Sequence, residues 1–178
     1  MKTTKTLAEI ESGKLFEVAG IEFIKFADQS GQTVAVAKDV LFSSEFGKNN
    51  DFATSEVKHA LEKKILSRLE KAIGSENIIE HEVDLLSLDG DDKWGKIKCK
   101  ISIPTMDFYR ANVKMFDKYK PDKWWWLATP VTTSAHYNDN WILCVAPAGI
   151  INDNLYGLNC GVRPFLIFNS SISVSCEE

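Results

Sequence analysis

The chain has no run of about 18 apolar residues, the length a helix needs to cross a bilayer, so no membrane span is expected. Its first residues, Met1 to Glu11, lack the apolar stretch of a secretory signal, and a cytoplasmic protein is expected. Basic residues are in no excess: 21 Lys and Arg stand against 25 Asp and Glu, a formal net charge of −4. That balance argues against direct nucleic-acid binding through a basic surface. Cysteines are few. Cys99, Cys144, Cys160 and Cys176 form no C-x-x-C pair and match no zinc spacing. They are expected as reduced core thiols, which pack as small hydrophobes.

The motifs of common enzymes are missing too. No G-x-S-x-G, H-E-x-x-H, phosphate-loop or dinucleotide fingerprint occurs. Of the three histidines, His59 falls on a helix beside Lys58, and His136 falls in a Ser/Tyr/Asn loop. His81 lies between Glu80 and Glu82, and successive strand residues point apart, so these three do not form a ligand cluster. The acidic run Asp89–Asp92 lacks the twelve-residue calcium spacing, and Lys93 follows it at once, so it reads as a turn. No catalytic residue, metal site or cofactor is expected, and the chain reads as a nonenzyme.

What is present is an aromatic centre. Four of five tryptophans lie between Trp124 and Phe168, three of them consecutive at Trp124-Trp125-Trp126. Each indole buries roughly 150–250 Å² when it goes inside. At about 25 cal/mol per Å² the triplet supplies several kcal/mol of gross burial per ring. Strand alternation sends Trp124 and Trp126 into the core, with Trp125 on the other face or in a second cluster; the reverse assignment obeys the same rule. Arg163 sits inside the closing strand run Gly161–Phe168, where a buried charge needs acceptors. A structural, hydrogen-bonded Arg is expected there, with an anion anchor as the alternative.

The rest of the chain reads as one α+β domain, with 44% apolar and 26% charged residues. Leu15–Val18, Ile21–Phe26 and Thr33–Ala37 alternate like strands of an antiparallel meander. Val57, Leu61, Ile65, Leu69 and Ile73 recur every four residues and predict a helix. Thr54 or Ser55 would cap it, and Gly74 would end it. Val83–Leu88 reads as a buried strand, Trp94–Ile103 as a two-faced one, and Met106–Asp117 as a second helix after Thr105.

Four motifs now stand in order. They are Thr54-Ser55-Glu56-Val57-Lys58-His59-Ala60-Leu61, Leu85-Leu86-Ser87-Leu88, Trp125-Trp126-Leu127-Ala128-Thr129-Pro130 and Gly161-Val162-Arg163-Pro164-Phe165-Leu166. Together they resemble the bacterial and phage family called domain of unknown function 6273, over about Leu15 to Phe168. Ala128 stands where that family has Arg, and Ala60 where its helix has Trp. Ile103-Pro104-Thr105-Met106-Asp107-Phe108-Tyr109 is more distantly similar to an element of formylglycine-generating-enzyme-like proteins. Their catalytic cysteine pair is not recognisable in this chain. The resemblance implies a C-type-lectin-like fold: a mixed, mostly antiparallel sheet, two flanking helices and an irregular C-terminal half. It implies a single such domain over 15–178, preceded by a short segment, 1–14. It further implies a phage or prophage protein, cytoplasmic in the host cell or virion-associated.

The candidate binding residues lie in two polar loops. One holds Thr133, Ser134, His136, Tyr137, Asn138, Asp139 and Asn140; the other holds Asn152, Asp153, Asn154 and Tyr156. Tyr, Asn and Ser offer rigid aromatic contact with adaptable hydrogen bonds, as binding loops do, although Asn and Asp also suit plain turns. Trp124, Trp126, Arg163 and Pro164 form the expected structural core motif. The leading reading is a noncatalytic module that recognises a protein, or a glycan, through these loops. One alternative is an intracellular anti-defence inhibitor, of the anti-CRISPR kind, that occludes a host nuclease. Another is an enzyme of the formylglycine-generating type.

Overall fold

A computed structural model describes residues 2–134 and 139–177. Two sheets carry the fold. The larger runs β1 (Lys2–Thr6), β15 (Ser173–Glu177), β2 (Leu15–Val18), β3 (Ile21–Gln29), β4 (Gln32–Ala37), β14 (Phe165–Asn169) and β6 (Ile78–Ile79). A short strand, β9 (Ile101–Ser102), also pairs with β14. The smaller sheet runs β12 (Ile151–Leu155), β11 (Trp141–Val145), β10 (Trp125–Pro130), β13 (Asn159–Val162) and β5 (Phe42–Glu45). β7 (His81–Asp84) and β8 (Lys96–Cys99) make a separate two-stranded ladder. The described pairings are antiparallel except β10 with β13, so the mixed, mostly antiparallel α+β architecture is as expected. Residues 2–6 are part of the larger sheet, because β1 pairs with the last strand along its whole length.

Period-two alternation gives both sheets two packed faces. Trp126 and Ala128 on β10 join Phe23, Ala35, Leu166 and Phe168 in the main core. Trp125 and Leu127 join Ile24, Phe26, Val36, Tyr109 and Phe116 in a second cluster. The triplet therefore divides differently from the expected inward pair. Trp126 and Trp125 are buried on opposite faces, while Trp124 precedes the ladder and stands 44% exposed. Trp124 is thus no part of the core motif. Its main-chain carbonyl accepts from Gly161 N (2.9 Å), so it contributes backbone where its ring does not.

The main core is closed by the predicted helix, in three parts: α1 (Glu56–Ala60), a π-helical stretch (Leu61–Leu66) and α2 (Ser67–Ile73). Ser55 Oγ accepts from Lys58 N (3.0 Å) as the N-cap, and Gly74 (φ 86°) ends the helix in a conformation that costs glycine least. An apolar repeat of four drifts around a 3.6-residue helix. The i→i+5 bonding of the middle segment underwinds the helix and keeps Val57, Leu61, Ile65 and Leu69 on the core side.

The second helix breaks at Asn112 into α3 (Met106–Ala111) and α4 (Val113–Lys118). The Asn112 amide donates to Phe108 O (2.9 Å), and such side-chain bonding competes with helix propagation. Tyr109 and Phe116 press on Trp125 at ring separations of 5.6 and 5.5 Å.

The two sheets are joined where the chain crosses between them at Arg163-Pro164. Arg163 is fully buried and has no carboxylate within 4 Å among the described residues. Its Nε donates to Ala37 O (3.1 Å), and Nη2 donates to Lys38 O (2.9 Å). Its guanidinium lies 4.7 Å from the Trp125 ring centroid and 5.4 Å from that of Phe116. The expected structural, hydrogen-bonded Arg is what the fold contains.

Truncation separates the neighbouring indoles. Trp126→Ala is expected to cost about 3–5 kcal/mol. Trp124→Ala is expected to stay within about 0.5 kcal/mol of wild type. Urea denaturation of both variants checks this, and equal losses would contradict the division.

Candidate functional site

The described residues hold a cleft of about 520 Å³, within the range of small-ligand and peptide sites. Four distant segments build it: β7 with the 85–92 loop, the turn from β9 into α3, Thr129 on β10, and Phe165 at the start of β14. Its apolar wall includes Leu86, Leu88, Met106, Phe108 and Phe165.

Local chemistry explains the loop. Burial alternates from His81 through Leu88, and the ladder to β8 ends at Asp84. The expected buried strand over Val83–Leu88 is therefore corrected in its second half. There, side chains replace the ladder: Asp84 Oδ1 accepts from Leu86 N (3.0 Å), and Ser87 Oγ accepts from Asp91 N (2.8 Å). The Ser87 hydroxyl donates to Asp89, and this bond, then one from Thr132, holds the Asp89 carboxyl below its usual range. Leu88 N donates to Pro130 O (2.9 Å), which fixes the loop to the end of β10. Leu86 and Leu88 are left 41% and 51% exposed at the cleft rim.

The opposite wall starts at Thr105, whose Oγ1 accepts from Phe108 N (3.2 Å) as the cap of α3. Met106 N donates to Thr129 Oγ1 (2.9 Å), and Ala128 N donates to Pro104 O (2.9 Å). Both bonds set α3 on β10, so the tryptophan strand positions both sides of the cleft.

His81 and Ser102 lie in the cleft lining, with His81 Nε2 and Ser102 Oγ 2.9 Å apart. His81 is 9% exposed, and its ring meets Phe165 edge-on at 5.0 Å. Burial pushes its pKa below the ordinary 6.5, while the Ile79 carbonyl and Glu80 pull the other way without offsetting it. Among the described residues Nδ1 has no hydrogen-bond partner. The ring is therefore neutral at physiological pH and lacks the carboxylate that orients a catalytic base. Sequence reading passed over this pair, because residues 21 apart meet only when β7 and β9 converge. All four cysteines are buried free thiols, and burial raises Cys99 to about 11, which disfavours a thiolate nucleophile there. Among the described residues no cluster of three or more His, Cys, Asp or Glu is placed to hold a metal ion.

The loops singled out in the sequence fall elsewhere. Asn152, Asp153 and Asn154 belong to β12, an edge strand paired residue by residue with β11, which corrects their reading as a loop. Tyr156 follows it, packs on the main core, and accepts at its carbonyl from Phe46 N (2.8 Å). Thr133 is buried, so its side chain is not available to a partner; Ser134, Asp139 and Asn140 are half-buried. His136, Tyr137 and Asn138 lie outside the described residues. The base of this first loop hangs on Asn50, which is fully buried. Asn50 Nδ2 donates to Thr132 O (2.7 Å) and Trp141 O (3.1 Å), and its Oδ1 accepts from Trp94 Nε1 (3.1 Å).

No protein-family model matches the chain, and neither a curated protein nor a solved structure is significantly similar to it. Among the described residues no helix is long and apolar enough to cross a membrane.

The buried imidazole gives a pH signature. With its folded pKa below 6.5, the unfolded chain binds more protons as pH falls through that value. The His81 contribution to stability is thus present above the unfolded pKa and is lost as pH falls toward the folded one. Urea midpoints from about pH 7.5 down to about pH 5.5 should fall more steeply for wild type than for His81→Asn. Parallel profiles would contradict a neutral buried ring.

Proposed function

We propose that this chain is a noncatalytic binding module of the domain of unknown function 6273 family, with a C-type-lectin-like fold, and that it holds a segment of a protein partner in the cleft. The fold reading is supported by the pairing of first and last strands, by the two helical flanks, and by a second sheet inserted between them. The family reading is supported by the burial of Trp125 and Trp126 and by the Arg163 guanidinium over the Trp125 ring.

The observation that carries the function is the cleft itself. It combines an apolar wall with hydrogen-bonding side chains, and its rim displays Leu86 and Leu88, two large apolar residues that the loop chemistry turns outward. Binding sites have this composition. A protein segment fits better than a glycan, because the wall presents aliphatic and aromatic side chains from three sides. The noncatalytic reading rests on His81, which has no carboxylate partner among the described residues, and on Ser102, which is buried.

Selection from a random-peptide display library against the wild-type protein tests this. Enriched peptides are expected to lose affinity for Leu88→Glu and Leu86→Glu by about tenfold, since each change places a charge where an apolar contact was. Peptides that bind both variants as well as wild type would place recognition away from the cleft and end the proposal.

A further inference from the structure

All four residues of β7 line the cleft: His81, Glu82, Val83 and Asp84. Side chains alternate across a strand, so a cavity that touches four in succession meets the edge of that strand and not one face. The pairing register shows which backbone groups that edge presents. Leu85 N donates to Gly95 O (2.9 Å), which makes the Leu85 position a hydrogen-bonded pair with the β8 side. Antiparallel pairs alternate, so Val83–Ile97 and His81–Cys99 are hydrogen-bonded as well. Glu82 and Asp84 fall between them, and their N–H and C=O groups point away from β8. No other described strand pairs with β7.

We infer that β7 is a docking edge, and that an extended peptide of a partner protein pairs with it through the main chain of Glu82 and Asp84. The inference rests on the cleft-binding reading and adds its mode and its sequence preference. Strand addition of this kind takes affinity from the backbone and selectivity from alternate side chains. The side chains of Glu82 and Asp84 share the exposed face of β7 and have Lys96 as their common cation, at 2.9 and 3.7 Å. In the cleft lining Arg110 is paired with Asp107 (2.7 Å), so the carboxylates next to the open edge are those of Glu82 and Asp84, with Lys96 and Lys98 one strand further away on β8. Residues of an added strand on that exposed face therefore meet negative charge, and opposite charges across a pair are favoured. The intervening residues turn to the buried side, where Phe108, Phe165 and Ile103 lie. The partner segment is an extended run in which Lys or Arg alternates with apolar residues.

The peptide acetyl-Thr-Val-Lys-Leu-Lys-Val-Thr-amide is the probe, measured by calorimetry and by amide exchange on the whole protein. Its binding should protect the Glu82 and Asp84 amides and should weaken on Leu88→Glu. Methylating its backbone nitrogens at alternate residues, in two complementary sets, should weaken binding by about tenfold in one set only. Replacing both Lys by Glu should weaken it several-fold at low salt, and Glu82→Lys with Asp84→Lys should reverse that preference. Absence of binding by this peptide, binding that both methylated sets retain, or unprotected Glu82 and Asp84 amides would each overturn strand addition. Binding that survives methylation yet fails in Leu88→Glu would leave the cleft as the site and reject only the edge. Binding indifferent to Leu88→Glu would instead reject the cleft.

Discussion

A single guanidinium holds the two sheets in register. Arg163 stands at the point where the chain leaves β13 for β14, and it bonds carbonyls at the end of β4, where the chain leaves the larger sheet on its way to β5. Tyr119 O, just past α4, lies 3.5 Å from Nη2. Both crossovers and the second helix pair thus meet one side chain. Removing a charge from water is costly unless its donors are satisfied. Main-chain oxygens satisfy Nε and Nη2, two aromatic faces lie against the guanidinium, and Asp39 adds a more distant attraction, while buried Nη1 has no hydrogen-bond partner among the described residues. Burial lowers the Arg163 pKa to about 10, so the group stays cationic at neutral pH.

That junction explains why the adjacent indoles serve opposite faces. Trp125 is stacked under the guanidinium and closed by Tyr109 and Phe116, which commits α3 and α4 to this side. Trp126 points the other way, meets Phe46 edge-on at 5.6 Å, and donates from Nε1 to Ser44 O (2.9 Å). A buried indole with a satisfied N–H can sit in a core at little polar cost. β10 is thereby the central strand of its sheet, packed on both faces, and its far end becomes a rigid mount. Thr129 and Pro130 there receive the hydrogen bonds that fix α3 and the 85–92 loop, so the cleft inherits its shape from the most buried strand of the smaller sheet.

The cleft is made of departures from regular structure. The β7–β8 ladder stops where Asp84 and Ser87 bond their own backbone, and the helix after Thr105 is cut short at Asn112. Loops and element ends carry binding groups because a rigid scaffold can hold them outside the ladders. Here the scaffold also leaves Leu86 and Leu88 outward, at a rim that water would otherwise avoid.

Much was legible from residue order alone. Period two gave the meander and the two-faced β10, and the capping by Ser55, Gly74 and Thr105 follows from local backbone chemistry. These features depend on neighbours within a few positions, which a sequence displays. The exposure of Trp124, the pairing of β12, the meeting of His81 with Ser102 and the free edge of β7 depend on segments far apart in the chain. Alternation states that two faces exist but not which neighbour covers each, and a strand does not announce whether its second edge will be paired. Sequence by itself therefore determined the meander, the first helix and the caps at Ser55, Gly74 and Thr105, because each rests on near neighbours. Tertiary packing alone decided the cleft, because a cavity is the space left between surfaces and has no residue pattern of its own.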